Sequence, residues 1–284
     1  MPFLSSKEAM GQNFCIHGIN YSPRIGPDCA PFKVTDSIRL FGLGDRAQSS
    51  TVVPVAINAG LSVSLGFWVS DEDSVFESEF SMLNTLLQQK KDFFTNGSIV
   101  DIHVGSEAIY REDVTAAQNI AYLQRVKSLF KTYSLNVPVT IAEIGDIYLT
   151  HPEIIDDVDF VQANEFPFGK KIAVEDAVAY FESRMEPLFN SEIARDKKMV
   201  IGETGWASNG SSLKQKELEF YYFEAFDEKW KADVSIDSVE GHFGLFCGNR
   251  TVKADVGIDS VEGHFELFCG DQTVKLKLLN LRLA

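Results

Sequence analysis

Glu203 ends the run Met199-Val200-Ile201-Gly202-Glu203-Thr204-Gly205-Trp206, an apolar stretch that finishes on a carboxylate, a glycine and an indole. Upstream, Ile99-Val100-Asp101-Ile102-His103-Val104-Gly105-Ser106-Glu107 shows the same plan of apolar run, glycine and carboxylate. Each run reads as a buried strand with an acid at its C-terminal end. One such acid commonly does no more than solvate a sheet rim. Two acids delivered by two strands to one rim are the pair that glycosidic bond cleavage with retention requires. One is protonated and gives its proton to the leaving oxygen, while the other is ionised and attacks the anomeric carbon. A negative Glu203 about 5 Å away would keep the proton on Glu107. In the covalent intermediate Glu203 is neutral, so Glu107 would release its proton and act as the base.

The elements that must position the pair recur along the chain. Strand-like apolar runs fall at 14–21, 37–41, 63–69, 99–107, 137–144, 159–166, 199–203 and 242–246. They are continuous and not alternating, as expected of parallel strands covered on both faces. Apolar residues at helical spacing fill 76–93, 113–133, 173–189 and 213–226. Strands alternating with helices predict an α/β fold, a (β/α)8 TIM barrel in a single domain, with chemistry at the C-terminal strand ends. An open doubly wound sheet would need a glycine-rich phosphate loop after the first strand, and Gly18-Ile19-Asn20-Tyr21 is not one.

Lys231 to Val252 is followed at once by a near copy, Lys253 to Val274, differing only at Ser235/Gly257, Gly244/Glu266, Asn249/Asp271 and Arg250/Gln272. Two repeats are too few for a solenoid. The expected organisation is a catalytic barrel over 1–252, closed by 241–246, with the duplicate and tail at 253–284 outside it.

The 284 residues carry a formal net charge of -15. That excess argues against nucleic acid and anionic membrane as partners and suits a neutral polysaccharide. The start, Met1-Pro2-Phe3-Leu4-Ser5-Ser6-Lys7, has no signal-peptide pattern, and the apolar run 52–69 reads as a helix followed by a strand, not as a membrane span. Asn-X-Ser/Thr sequons begin at Asn20, Asn96, Asn209 and Asn249, and four cysteines leave the redox compartment open. The histidines lack metal-ligand spacing, His103 is expected to fill the barrel interior, and no metal or cofactor is implied.

Further segments carry a resemblance: Ile38-Arg39-Leu40, Leu65-Gly66-Phe67-Trp68-Val69, Val104-Gly105-Ser106-Glu107, Asn164-Glu165-Phe166-Pro167-Phe168, Gly202-Glu203-Thr204-Gly205-Trp206 and Tyr222-Phe223-Glu224-Ala225-Phe226-Asp227-Glu228. With Gly18 to Tyr21 they make the chain similar to glycoside hydrolase family 17, in its fungal β-1,3-glucan-active branch. The resemblance implies a retaining enzyme with Glu107 as acid/base and Glu203 as nucleophile, acting on β-1,3-glucan or laminari-oligosaccharides. The family usually has Asn before the acid, where it bonds the sugar 2-hydroxyl. Ser106 stands there instead, and slower or altered catalysis is expected. Tyr21 and Arg39 are the expected hydrogen-bond donors to Glu203. Trp68, Tyr110, Asn164, Glu165 and Trp206 are expected to bind sugar; packing is the competing role for the aromatic ones and a solvated rim for Asn164 and Glu165. Phe223 and Glu228 are expected to pack within a helix.

The glycosyl-enzyme can be resolved by water or by another sugar. The short loop at 167–172 resembles the fungal wall-remodelling members and favours a β-1,3-glucanosyltransferase with some endo-glucanase activity. The alternatives are a mainly hydrolytic endo-glucanase, a catalytically weak glucan-binding wall protein, and a related barrel acting on another β-glycan. A monomer working outside the cell or in the cell wall is expected.

Overall fold

Seven of the eight strand-like runs fold where their apolar composition places them. The computed structural model describes residues 18–20, 36–167, 176–205, 219–223, 258–260 and 263–265. In chain order these form β1 (Gly18–Asn20), β2 (Ser37–Arg39), α1 (Val52–Asn58), β3 (Ser62–Phe67), α2 (Asp73–Gln89) and α3 (Asp92–Thr95). There follow β4 (Ile99–Ser106), α4 (Ala116–Thr132), β5 (Val139–Ile144), α5 (Gly145–Thr150), α6 (Glu153–Asp157) and β6 (Val161–Asn164). Then come α7 (Ala177–Phe189), β7 (Met199–Thr204) and β8 (Glu219–Tyr222). Every neighbouring pair is parallel, and β8 pairs with β1 to close the barrel. The expected (β/α)8 barrel is therefore present.

The closing strand is not the expected one. Leu218, Tyr221, Tyr222 and Phe226 suit a helical stripe, but Glu219-Phe220-Tyr221-Tyr222 is also a short aromatic run that fits a pleated, half-buried surface. Closure decides between the two: the gap between β7 and β1 offers backbone partners on both sides, and 219–222 fills it, with Tyr221 opposite Gly18 and Phe220 opposite Ile201. Both copies of the repeat thus lie after the last barrel strand. The run 241–246, expected to close the barrel, is outside the described residues. In the second copy, β9 (Ile258–Ser260) and β10 (Gly263–Phe265) form a separate antiparallel hairpin.

The helices bury the stripes that their spacing announces. α2 turns Phe76, Leu83, Leu86 and Leu87 inward, and α4 turns Ala116, Leu123, Val126 and Phe130 inward. Phe76 and Tyr122 stack with ring centroids 4.0 Å apart, joining the two helices. α4 starts where Thr115 accepts a hydrogen bond from the Gln118 amide at 3.2 Å, an N-cap that satisfies one of the orphan donors of the first turn. Gly66 on β3 has no room for a side chain: a Cβ there would lie 2.2 Å from the Leu40 carbonyl oxygen. The bare glycine is what lets β3 lie this close to the chain just past β2.

Candidate active site

The backbone places the two glutamates before any side chain does. Glu203 lies near the C-terminal end of β7, and the β6–β7 register sets Asn164 opposite it. Glu107 directly follows β4. Gly105 has φ of 84° and Glu107 itself has φ of 57°, a left-handed conformation that a non-glycine residue takes at a cost. The turn is fastened on both sides: the Glu107 amide donates to the Ala142 carbonyl at 2.8 Å, and the Arg111 amide donates to the Glu107 carbonyl at 2.9 Å.

Two hydrogen bonds then bracket the pair. Ser106, the residue before Glu107, donates through Oγ to Glu203 Oε1 at 2.7 Å. Asn164, the register partner of Glu203, donates through Nδ2 to Glu107 Oε1 at 2.9 Å. Each acid is thus held by the immediate neighbour of the other, so the two carboxyls share one site. Arg39, wholly buried, supplies the countercharge. Its Nη1 donates to Glu203 Oε1 at 2.8 Å and to Asn20 Oδ1 at 2.7 Å, and its Nη2 donates to Ser106 Oγ at 3.1 Å. Asn20 is fixed in turn by donating to the Gly202 carbonyl at 3.0 Å. Charge-assisted bonds of this kind are the strong ones, and burial leaves them unscreened.

The same arrangement divides the protonation states. Burial pushes the Glu107 carboxyl up to about 7, the negative Glu203 adds to that, and the Asn164 bond with the Arg111 and Arg39 charges opposes it. An acid able to hold a proton near neutrality therefore faces a carboxylate paired with arginine. That pair can protonate a leaving oxygen and attack a carbon in one displacement. His103 fills the interior as expected: it is fully buried, and burial followed by the Arg39 charge pushes its pKa well below the usual range. Among the described residues no group of three or more His, Cys, Asp or Glu side chains is placed to hold a metal ion.

Arg39, Ser106, Glu107, Asn164 and Glu203 come together at one site, Arg39 and Ser106 bonded to Glu203 and Asn164 to Glu107. Ser106, expected at the sugar 2-hydroxyl, spends its only proton on Glu203. Asn164, expected on sugar hydroxyls, holds the acid. Glu165 beside it is 8% exposed and lies 3.8 Å from Arg184 Nε. Trp68 is 41% exposed while Phe67 is buried, so of these two aromatics it is the tryptophan that faces out of the core. The Arg111 guanidinium covers the Trp68 ring at 4.7 Å and is itself anchored on the carbonyl oxygens of Ser106 and Val69. Tyr110 is 53% exposed and is no part of a helix start. Tyr21, Trp206 and Glu228 lie outside the described residues.

Sequence reading missed three features. Phe223 does not pack within a helix. It follows β8, its amide donates to the Thr204 carbonyl at 2.8 Å, and its ring meets Phe166 at 5.4 Å and Phe41 at 6.2 Å. All three rings come shortly after a strand end, which was the available signal. Asn20 and Arg111 were the second omission; each is polar and adjacent to a residue already singled out. The third was Glu143, a buried acid near the end of β5.

Closed barrel and paired acids together define the class of the protein, a barrel glycoside hydrolase. Comparison with known proteins agrees. Residues 25–218 match the BtgE/BtgC glycoside hydrolase domain, and the chain belongs to that family, bearing out the resemblance to the fungal branch of glycoside hydrolase family 17. It is 29% identical over 251 residues to the glucan 1,3-beta-glucosidase of Candida albicans, covering 76% of this chain and 80% of that protein. It is 26% identical to the probable glucan endo-1,3-beta-glucosidase btgC of Aspergillus fumigatus, covering 78% of this chain and 37% of that longer protein. The crystal structure of the family 17 beta-1,3-glucanosyltransferase from Rhizomucor miehei has the same fold, with a TM-score of 0.70 at 24% identity over 86% of this chain and 98% of that one.

Proposed function

We propose that the protein is a retaining β-1,3-glucanosyltransferase with endo-β-1,3-glucanase activity, with Glu107 as acid/base and Glu203 as nucleophile. The observation that carries this reading is the half-buried, proton-holding Glu107 beside a Glu203 carboxylate clamped by Arg39 and Ser106. Both clamping bonds fall on Oε1 of Glu203, which leaves Oε2 to attack the anomeric carbon. In the first displacement Glu107 protonates the leaving glycosidic oxygen as the C–O bond breaks, and Glu203 Oε2 forms the ester bond to the anomeric carbon. The ester is neutral, so the repulsion that helped hold the proton on Glu107 is gone. Glu107 can then take a proton from the incoming hydroxyl, whose oxygen displaces Glu203.

A sugar acceptor gives transfer and water gives hydrolysis. The relatives' names, glucan 1,3-beta-glucosidase and glucan endo-1,3-beta-glucosidase, support a β-1,3-glucan as the donor. The likeness to a β-1,3-glucanosyltransferase and the short sequence at 167–172 favour transfer. Trp68 and Tyr110 are offered as the acceptor-side sugar platform, and a neutral glucan meets no electrostatic penalty from the acidic chain. A glucan donor is compatible with work in the cell wall or outside the cell, which belongs to the same proposal. A second reading, a weak catalyst that chiefly binds glucan, is favoured by one feature, Ser106 in the place of the usual asparagine.

The deciding experiment is mass spectrometry of the products from purified protein and laminaripentaose. Products longer than the pentamer establish transfer, whereas shorter products alone make the enzyme a hydrolase. An unchanged pentamer with measurable binding favours the second reading. Glu203→Gln should abolish turnover and keep oligosaccharide binding.

A further inference from the structure

Glu143 lies outside the Glu107–Glu203 network, yet the fold sets it against the acid. It is fully buried near the end of β5, and its backbone neighbour Ala142 receives the Glu107 amide. Its Oε1 accepts from the Ile109 amide at 2.6 Å, two residues beyond Glu107. The left-handed turn at Glu107 is thus pinned on one side by a β5 carbonyl and on the other by a β5 carboxyl. Oε2 is enclosed and without a hydrogen-bond partner among the described residues. A buried carboxylate is costly, and Glu143 is pushed up to about 7, first by burial and then, among the raising causes, by the charge of Glu107, against the Ile109, Tyr110 and Ile144 backbone amides, which lower it.

We propose that Glu143 is a positioning residue for the acid: its clamp on the Ile109 amide fixes the strained turn that aims Glu107, and its charge, when present, opposes the ionisation of Glu107. The inference rests on Glu107 being the acid/base. The charged and titratable groups facing Glu107 are Glu203 from β7, Arg39 from β2, Arg111 from the loop after β4, and Glu143, with Asn164 from β6 as a neutral donor. Tyr148 of α5 also faces Glu143, and its pKa is pushed up by burial, so it stays neutral through the working range.

Two substitutions separate the roles. Glu143→Gln keeps an oxygen to accept from Ile109 but never ionises. Glu143→Leu removes the acceptor as well. With laminaripentaose as substrate, Glu143→Gln should keep kcat within about threefold and move the basic limb of the kcat/KM profile to lower pH, on the order of half a unit. Glu143→Leu should lower kcat about tenfold or more with KM little changed, since an acid that is misaimed weakens the chemical step more than binding. Thermal melts show whether each variant is folded, and the limb shift in the glutamine variant is not something a loss of stability produces. An unmoved limb in Glu143→Gln together with wild-type kcat in a folded Glu143→Leu overturns the proposal. If either occurs while Glu107→Gln is inactive, the assignment of the acid still stands. An active Glu107→Gln overturns that assignment and this inference with it.

Discussion

Replacing Arg39 with methionine tests the electrostatic core of the site. Arg39 is fully buried and donates to Asn20, Glu203 and Ser106 at 2.7, 2.8 and 3.1 Å. Methionine fills much of the same space and offers none of those donors. Among the described residues Glu203, 7% exposed, then keeps only the Ser106 bond at 2.7 Å. Stranding one member of a buried ion pair costs about 3–5 kcal/mol, far more than the ~1 kcal/mol of an exposed pair. Urea unfolding of four proteins (wild type, Arg39→Met, Glu203→Gln and the double variant) measures this directly. Each single change strands one charge, and the double change strands none, so the double variant should be more stable than the sum of the singles predicts by about 2 kcal/mol. A loss below about 1 kcal/mol for Arg39→Met, or strict additivity, would refute the view that a desolvated pair holds Glu203.

The remaining predictions concern the acid and the barrel wall. Asn164→Ala removes a bond that favours the ionised form of Glu107, so the basic limb of its kcat/KM profile should move to higher pH by on the order of one unit. That is opposite in sign to Glu143→Gln, and pH–rate profiles read both. Glu107 and Glu143 are each raised from 4.5 to about 7, so between those values the folded chain holds protons that the unfolded chain has released. Stability should therefore fall as pH rises from 4.5 to 7, and Glu107→Gln should flatten that slope in urea titrations run across the range. Gly66→Ala puts a Cβ 2.2 Å from the Leu40 oxygen and 2.6 Å from the Phe41 carbonyl carbon, neither of which can swing away. Its expected cost is about 3 kcal/mol or more, seen as a lower urea midpoint.

Much of this was already present in the linear chain. Burial of both faces of a parallel strand forces a continuous apolar run, so seven strands, the helices on 73–89, 116–132 and 177–189, and the two acids at strand ends could be read directly. Residue type also announced Arg39, because a guanidinium in an apolar strand needs a carboxylate. Partner choice was another matter. Arg39 is 164 positions from Glu203, and Asn164 is 57 from Glu107; only the register of closed strands brings them within 3 Å. Ser106 and Asn164 therefore read only as sugar ligands, when the fold also uses them to hold the acids. The eighth strand was hidden for a related reason: 219–222 fits a helical stripe by itself and becomes a strand because the open edges of β1 and β7 must be paired. Glu143 gave no signal at all, since a lone acid in an apolar strand acquires its meaning only from the turn packed against it.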